Sequence, residues 1–298
     1  MQQREIEQLC RAVLPGSGSI ELKALGAGLI SETYRVARDG VAYTLKVAAD
    51  EHLDLRLDPA WELGVLERAG RIGVAPRVVY ADLERSVLVA QWVPGRSWSP
   101  QEVKTDANLK RLAELLRRVH ALSVPTPPRI LTPQQWIQIY AEASSRRALK
   151  SDPALQTAAL GRVDDLARAE SMAKPPHITR VVCHSDLHIE NLLQANESLI
   201  LLDWEYAHVA DPLWDLAGWS ANNDFEADVQ RSLLTHYLGR APSSGQWLCF
   251  RMLLWLYDYV CLLWSQLYLD LRRGAVNGIA ERARFLDARL RLPAHYAA

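Results

Sequence analysis

Three oxygen-bearing side chains, Asp186, Asn191 and Asp203, fall close together in the chain. From Cys183 the sequence reads Cys-His-Ser-Asp-Leu-His-Ile-Glu-Asn-Leu-Leu, turns, and continues from Leu199 as Leu-Ile-Leu-Leu-Asp-Trp-Glu-Tyr. An amide oxygen and a carboxylate suit a hard divalent cation such as Mg²⁺, which takes few protein oxygens when substrate phosphates complete its shell. Asp186 is then left as a free carboxylate, the group needed to take a proton from an attacking hydroxyl. Together these are the parts of a phosphoryl-transfer site. A single Asp or Asn often does no more than cap a turn. The argument for chemistry rests on two linked motifs in the right order.

The elements around these residues must bring them together. Residues 181–183 read as a buried strand leading to a polar loop over 184–191. Residues 192–194 and 199–202 then read as a hairpin with its turn at 195–198. A hairpin returns its ends to one place, which predicts Asp203 beside Asn191. A few residues later comes Asp211-Pro-Leu-Trp-Asp215 and a helix. Two readings of Asp215 stand at this stage. It accepts hydrogen bonds from the loop backbone or His184, or it is an ordinary helix-end acid.

Upstream, the pattern predicts a helix over 2–13, a strand over 20–25 and a turn carrying Gly26, Gly28 and Ser31. Glycines let backbone N–H groups approach a phosphate, although a plain hairpin turn accounts for two glycines equally well. The strand over 41–47 contains Lys46, a charge that is costly in an apolar strand unless paired. The helix over 58–71, with Asp58 as cap and Pro59 in its first turn, offers Glu62 as partner and Glu67 as second choice. Strands near 78–80 and 86–92 follow. Gln91-Trp-Val-Pro-Gly95 then interrupts the pattern, marking a hinge about 91–96. Beyond it the periodicity is helical over 102–122, 134–149 and 153–173.

The 298 residues are 49% hydrophobic, enough for a large core. A net charge of −1 gives no basis for a nucleic-acid or anionic-membrane partner. The four cysteines (10, 183, 249 and 261) show no metal-ligand or disulfide spacing, and the first residues lack the apolar run of a signal peptide. A cytoplasmic protein is the expectation. Residues 247–269 are apolar enough to raise the question of a membrane. Arg251, Asp258 and Gln266 interrupt them, so a buried helix is expected. Trp247, Trp255, Tyr257, Tyr259, Trp264 and Tyr268 crowd that helix. Most of these rings read as core, while Trp264 with Asp258 forms a candidate contact for a cationic headgroup.

His184-x-Asp186-x-x-x-x-Asn191, followed by a hairpin ending in Asp203, resembles the catalytic loop and metal-binding Asp of the kinase fold. The chain lacks room after Asp203 for a peptide-docking activation segment, and Ser185 stands where protein kinases carry Arg. Asp-Trp-Glu-Tyr and Asp-Pro-Leu-Trp-Asp-Leu-Ala resemble the choline kinase and aminoglycoside phosphotransferase superfamily, bacterial choline kinases first and bacterial thiamine kinases next. The resemblance implies an α+β, two-lobed protein-kinase-like fold. A small N-lobe, residues 1–92, would hold an antiparallel sheet and one main helix; a larger, mostly helical C-lobe would run over 93–298. It further implies an ATP- and Mg²⁺-dependent kinase acting on a primary hydroxyl of a small, cationic acceptor. Choline or a related amino alcohol comes first, thiamine or another metabolite second, and a nucleotide-binding scaffold without turnover third. Asp186 would be the base, Asn191 and Asp203 the metal ligands, and His184, Glu205 and Asp215 their supports. Gly26, Gly28 and Ser31 would form the phosphate loop, Lys46 would hold the nucleotide phosphates with Glu62 orienting it, and Gln91 and Val93 would face adenine. Asp258, Trp264, Trp255 and Tyr259 are the substrate candidates. Cys261 stands where bacterial choline kinases often carry the first of two tryptophans.

Overall fold

Alternation of apolar and polar residues builds an antiparallel sheet of β1 (Glu21–Ala27), β2 (Ser31–Arg38), β3 (Val41–Ala48), β4 (Val78–Asp82) and β5 (Val87–Gln91), in the order β1-β2-β3-β5-β4. This is a computed structural model, which describes residues 3–27, 31–48, 55–149, 152–172, 180–271, 277–292 and 296. Val36, Tyr43, Leu45, Val47, Val87 and Val89 point to one face of the sheet. There they bury Ile6, Leu9 and Cys10 of α1 (Gln3–Val13). Lys46, between Leu45 and Val47, therefore leaves from the opposite face. Helix α2 (Pro59–Arg71) starts where expected: the Asp58 carboxylate accepts from the amides of Ala60 and Trp61, both at 3.0 Å.

The chain divides into a sheet unit, Met1–Arg96 with Leu193–Glu205, and a helical unit, Ser97–Leu192 with Tyr206–Ala298. The simple division at residue 92 omits that exchange. The hairpin of β7 (Leu192–Ala195) and β8 (Ser198–Leu201) joins the sheet unit through backbone bonds. Arg96 N–H donates to the Gln194 carbonyl at 3.1 Å, Gln194 N–H returns one to Arg96 at 2.8 Å, and Leu201 N–H donates to Val74 at 2.9 Å. Gly95 permits this approach, since a Cβ there would lie 2.8 Å from the Gln194 carbonyl oxygen.

The helical unit comprises α3 (Asp106–His120), α4 (Pro133–Arg146), α5 (Pro153–Met172), α6 (Leu213–Asn222), α7 (Ala227–Leu238), α8 (Ser244–Leu271) and α9 (Asn277–Leu290). The first predicted helix opens instead as a 3-10 turn, Glu102–Lys104. The chain restarts at Thr105, whose hydroxyl accepts from Asn108 N–H. Helix α8 is the centre of the unit and packs against α4, α5, α6 and α9. By length and composition (28 residues, mean hydropathy 1.3) it could cross a membrane, but 78% of the apolar stretch is buried inside the protein. Two short strands, β6 (Val181–Cys183) and β9 (His208–Ala210), pair antiparallel with Cys183 opposite His208. They set the start of the loop that carries Asp186.

Candidate active site

In the sheet unit, Lys46 Nζ lies 3.1 Å from Glu62 Oε1, 2.7 Å from Asp203 Oδ1 and 2.7 Å from Glu205 Oε2. Glu67, the alternative partner, is exposed on the other side of α2. Burial works against the Lys46 charge, yet the carboxylates of Asp203, Glu205 and Glu62 together hold its pKa well above the ordinary lysine value. Burial also pushes the Glu205 carboxyl up to about 8, despite Lys46. Asp203, two residues past the end of β8, has a left-handed backbone, φ 58°.

Gly26 pairs with Thr33 just after a register shift in β1, and Ser31 opens β2; Gly28 lies outside the described residues. In the linker, Gln91 N–H donates to Arg77 at 2.8 Å and Trp92 N–H to Ala42 at 3.2 Å. The Val93 N–H has no protein acceptor among the described residues.

In the helical unit, the loop after β6 hangs from one carboxylate. Asp215 Oδ1 accepts from Ser185 N–H at 2.7 Å, and Oδ2 accepts from His184 N–H at 2.9 Å and His120 Nε2–H at 3.1 Å. Tyr237 Oη donates to the other His120 nitrogen at 2.8 Å; burial pushes its pKa above the tyrosine range, so the phenol keeps its proton. Asp215 thus holds the loop backbone, and the bond to Leu213 N–H in the α6 first turn comes from Asp211 instead.

Asp186 is half-buried on this loop. Asn191 Nδ2 donates to its Oδ2 at 3.0 Å and to its carbonyl at 2.9 Å. His188 Nε2 lies 3.5 Å from the same carboxylate, while its Nδ1 is 2.8 Å from Glu190. Burial lowers the His188 pKa, but hydrogen bonds and charge from Asp186 and Glu190 prevail and raise it to about 10. Burial raises the Asp186 pKa, and the His188 hydrogen bond and charge, with His184 and Asn191, outweigh it, so the carboxyl sits below its ordinary value. Asp186 is an anion at neutral pH, with Oδ1 unoccupied by any hydrogen bond among the described residues. His188 was not singled out from sequence, although its place two residues after Asp186 in the same loop was the available signal.

The floor next to Asp186 combines Tyr257, read from the sequence among the rings of α8, with Asn222 and Gly218, which were not singled out. Asn222, the last residue of α6, donates to the Leu187 carbonyl at 2.9 Å and lies 3.2 Å from Tyr257 Oη. Gly218 makes room for the Tyr257 ring, to whose Cε2 a Cβ would approach within 2.7 Å. The Asp186 charge contributes to raising the pKa of both Tyr257 and Cys261, after burial as the main cause. Tyr257, Cys261, Trp264 and Tyr268 recur at helical spacing along one face of α8.

Asp258 is not available for the cationic-headgroup contact expected of it with Trp264. Asp258 is fully buried, forms an ion pair with Arg289 and accepts from Tyr296 Oη at 2.6 Å. Trp255 and Tyr259 stack on each other in the core with ring centroids 5.6 Å apart, and the Trp255 indole donates to Leu290. A carboxylate already neutralised by a guanidinium has no charge left for a ligand, so Asp258 belongs to the α8–α9 packing. Trp264 is partly exposed and lies against Tyr268, centroids 5.1 Å apart.

A small antiparallel sheet unit joined to a mostly helical one is a kinase-like architecture. The fold resembles that of a choline/ethanolamine kinase family protein from Mesorhizobium loti, with a TM-score of 0.76 at 23% identity over 100% of this chain and 98% of that one. It also resembles choline kinase LicA from Streptococcus pneumoniae, with a TM-score of 0.73 at 19% identity over 96% of this chain and 97% of that one. Residues 21–253 match the phosphotransferase enzyme family (APH), and the chain belongs to it. A thiamine kinase of Escherichia coli (strain SMS-3-5 / SECEC) is 31% identical over 164 residues, which are 53% of this chain and 50% of that protein. The chain thus spans about half the length of the curated relatives it matches.

Proposed function

We propose that this protein transfers the γ-phosphoryl group of ATP to the hydroxyl of a small cationic alcohol, a thiamine-like heteroaromatic alcohol ahead of choline. The observation that carries the reading is Asp186. It is ionised, it is held on a loop fixed by Asp215, and its Oδ1 is open beside the Asn222–Tyr257 floor. The acceptor hydroxyl donates to that oxygen. As the hydroxyl oxygen bonds to phosphorus its proton passes to Asp186, and the bond to the ADP oxygen breaks. The protein contributes mainly alignment and charge neutralisation. Lys46 would meet the nucleotide phosphates, with the Val93 N–H and the Gln91 carbonyl facing adenine.

The donor set suits Mg²⁺. Asn191 directs its NH₂ at Asp186, which leaves its Oδ1 as the ligand atom, and Asp203 keeps Oδ2 clear of hydrogen bonds among the described residues. Bound there, the ion would offset charge on the phosphates.

The preference for a flat acceptor comes from spacing. Trp264 and Tyr268 lie seven and eleven residues beyond Tyr257, roughly 10 and 16 Å along α8. Choline places its charge only two carbons from its hydroxyl, whereas a heteroaromatic alcohol of thiamine size would extend farther along this face toward Trp264. The test is ADP release with Mg²⁺-ATP against thiamine, choline, ethanolamine, an aminoglycoside and homoserine, each repeated with Asp186→Asn. A thiamine-dependent rate that falls about 10²- to 10⁴-fold in the variant is expected. Equal rates in both proteins would refute the base assignment. A choline-dependent rate alone would refute the flat-acceptor choice, and silence with ATP still bound would mean either an acceptor outside this panel or a nucleotide-binding scaffold.

A further inference from the structure

Besides its backbone bonds to Asp215 and Asn222, the catalytic-loop candidate is attached through one of its own side chains. Ser185, directly before Asp186, has a left-handed backbone at φ 70°, a region that disfavours residues with a Cβ. Its hydroxyl lies 3.0 Å from Nδ1 of His208, the first residue of β9. The His208 tautomer follows from its neighbours. The Trp136 indole, which can only donate, points at Nε2 from 3.3 Å, so Nε2 accepts and Nδ1 carries the hydrogen. That hydrogen is shared between the Ser185 hydroxyl and the Tyr206 carbonyl, also at 3.0 Å. Burial lowers the His208 pKa to about 4, which keeps the ring neutral and the tautomer fixed. Cross-strand pairing of Cys183 with His208 brings the ring to the root of the loop, and the edge of the Trp136 ring packs against it with centroids 5.4 Å apart.

We infer that His208, oriented by Trp136, is a positioning residue that latches the Ser185 hydroxyl and thereby fixes the direction in which Asp186 presents its carboxylate. This rests on the reading of Asp186 as the base. The latch is a physical reason for a serine at a position where the backbone would favour glycine. The side chain supplies a hydrogen-bond acceptor that offsets the strained conformation. Asp215 holds the loop by its amides, and His208 adds a bond to the Ser185 side chain.

The experiment compares wild type with Ser185→Ala, Ser185→Gly, His208→Ala and His208→Asn, whose amide N–H replaces Nδ1–H. The first readout is deuterium exchange of the peptide spanning 183–192, which needs no acceptor. Ser185→Ala and His208→Ala are expected to exchange about fivefold faster, the equilibrium worth of one ordinary hydrogen bond, and His208→Asn to recover part of the protection. The second readout is turnover with whichever acceptor the wild type uses. Ser185→Ala and Ser185→Gly should both lose about tenfold in kcat at unchanged KM for ATP, although Ser185→Gly relieves the backbone and keeps or raises Tm. The double variant Ser185→Ala/His208→Ala should be no slower than His208→Ala alone.

Unchanged exchange in Ser185→Ala, or wild-type kcat in Ser185→Gly, overturns the latch. So does a loss of kcat that follows Tm across the set, because it marks a purely structural role. If the wild type proves inactive with every acceptor, the functional reading fails while exchange still decides the latch.

Discussion

Replacing Asp215 tests whether one buried carboxylate organises the loop. Its two oxygens accept three hydrogen bonds, from His184 N–H, Ser185 N–H and His120 Nε2–H at 2.9, 2.7 and 3.1 Å. Asp215→Ala removes the acceptor from all three donors, two of them buried and the Ser185 N–H partly so. Each unsatisfied group costs about 1–3 kcal/mol, and partial relaxation brings the sum to about 4 kcal/mol. That is a large share of the roughly 5–15 kcal/mol that holds an ordinary domain together. Asp215→Asn keeps one acceptor oxygen but sets an NH₂ against a donor, for about 2 kcal/mol. Urea unfolding followed by tryptophan fluorescence measures this as a lower midpoint at constant slope. The pH dependence has a definite sign. Burial raises the Asp215 pKa, but the His120 hydrogen bond and charge, the His184 charge and the Ser185 amide outweigh it, so the folded value lies below the unfolded one. The carboxylate's contribution is therefore complete above the unfolded value of about 3.9 and is lost as pH falls through the lower folded value. The gap between wild type and Asp215→Asn should be constant from about pH 5 to 7 and shrink below about pH 4. A variant with the wild-type midpoint at neutral pH, or a gap that widens on acidification, would refute the reasoning.

The remaining expectations concern the face of α8. Gly218→Ala drives a Cβ into the Tyr257 ring, 2.7 Å from Cε2 and 2.9 Å from Cζ, and should cost about 1–3 kcal/mol. Calorimetry reads this as a lower Tm, and an unchanged Tm would mean that the ring moves aside freely. Trp264→Ala should raise KM for the acceptor about three- to tenfold and leave KM for ATP alone, since the loss is one ring platform. An equal rise in both constants would place Trp264 outside the acceptor's path.

Much of this was legible because the signals were local. Asp58 and Pro59 announced α2, and the polar turn between two apolar runs announced the β7–β8 hairpin. The Lys46–Glu62 pair could be read because a cation in an apolar strand needs an acid, and the next helix held one on its inner face. Sequence failed where partners are remote. Asp258 looked available among aromatic rings, since nothing nearby in the chain reveals Arg289, 31 residues on, or Tyr296, 38 residues on. His208 and His120 reach the loop residues only through pairing of β6 with β9 and packing of α3, contacts that no periodicity encodes. Asn222 closes α6 as an ordinary polar end and acquires meaning only beside Leu187 and Tyr257.

The group around Lys46 has an electrostatic corollary. One ammonium faces the carboxyls of Glu62, Asp203 and Glu205, so without ligands this corner leans negative even with Glu205 pushed up to about 8. A bare polyphosphate arriving there meets repulsion from Asp203 and must compete for a lysine already engaged. A polyphosphate that brings its own divalent cation would offer Asp203 a better counter-ion and would release Lys46 to the phosphates. On the proposed reading of Lys46, the acids would act as a charge filter that favours a metal-complexed nucleotide over a free one.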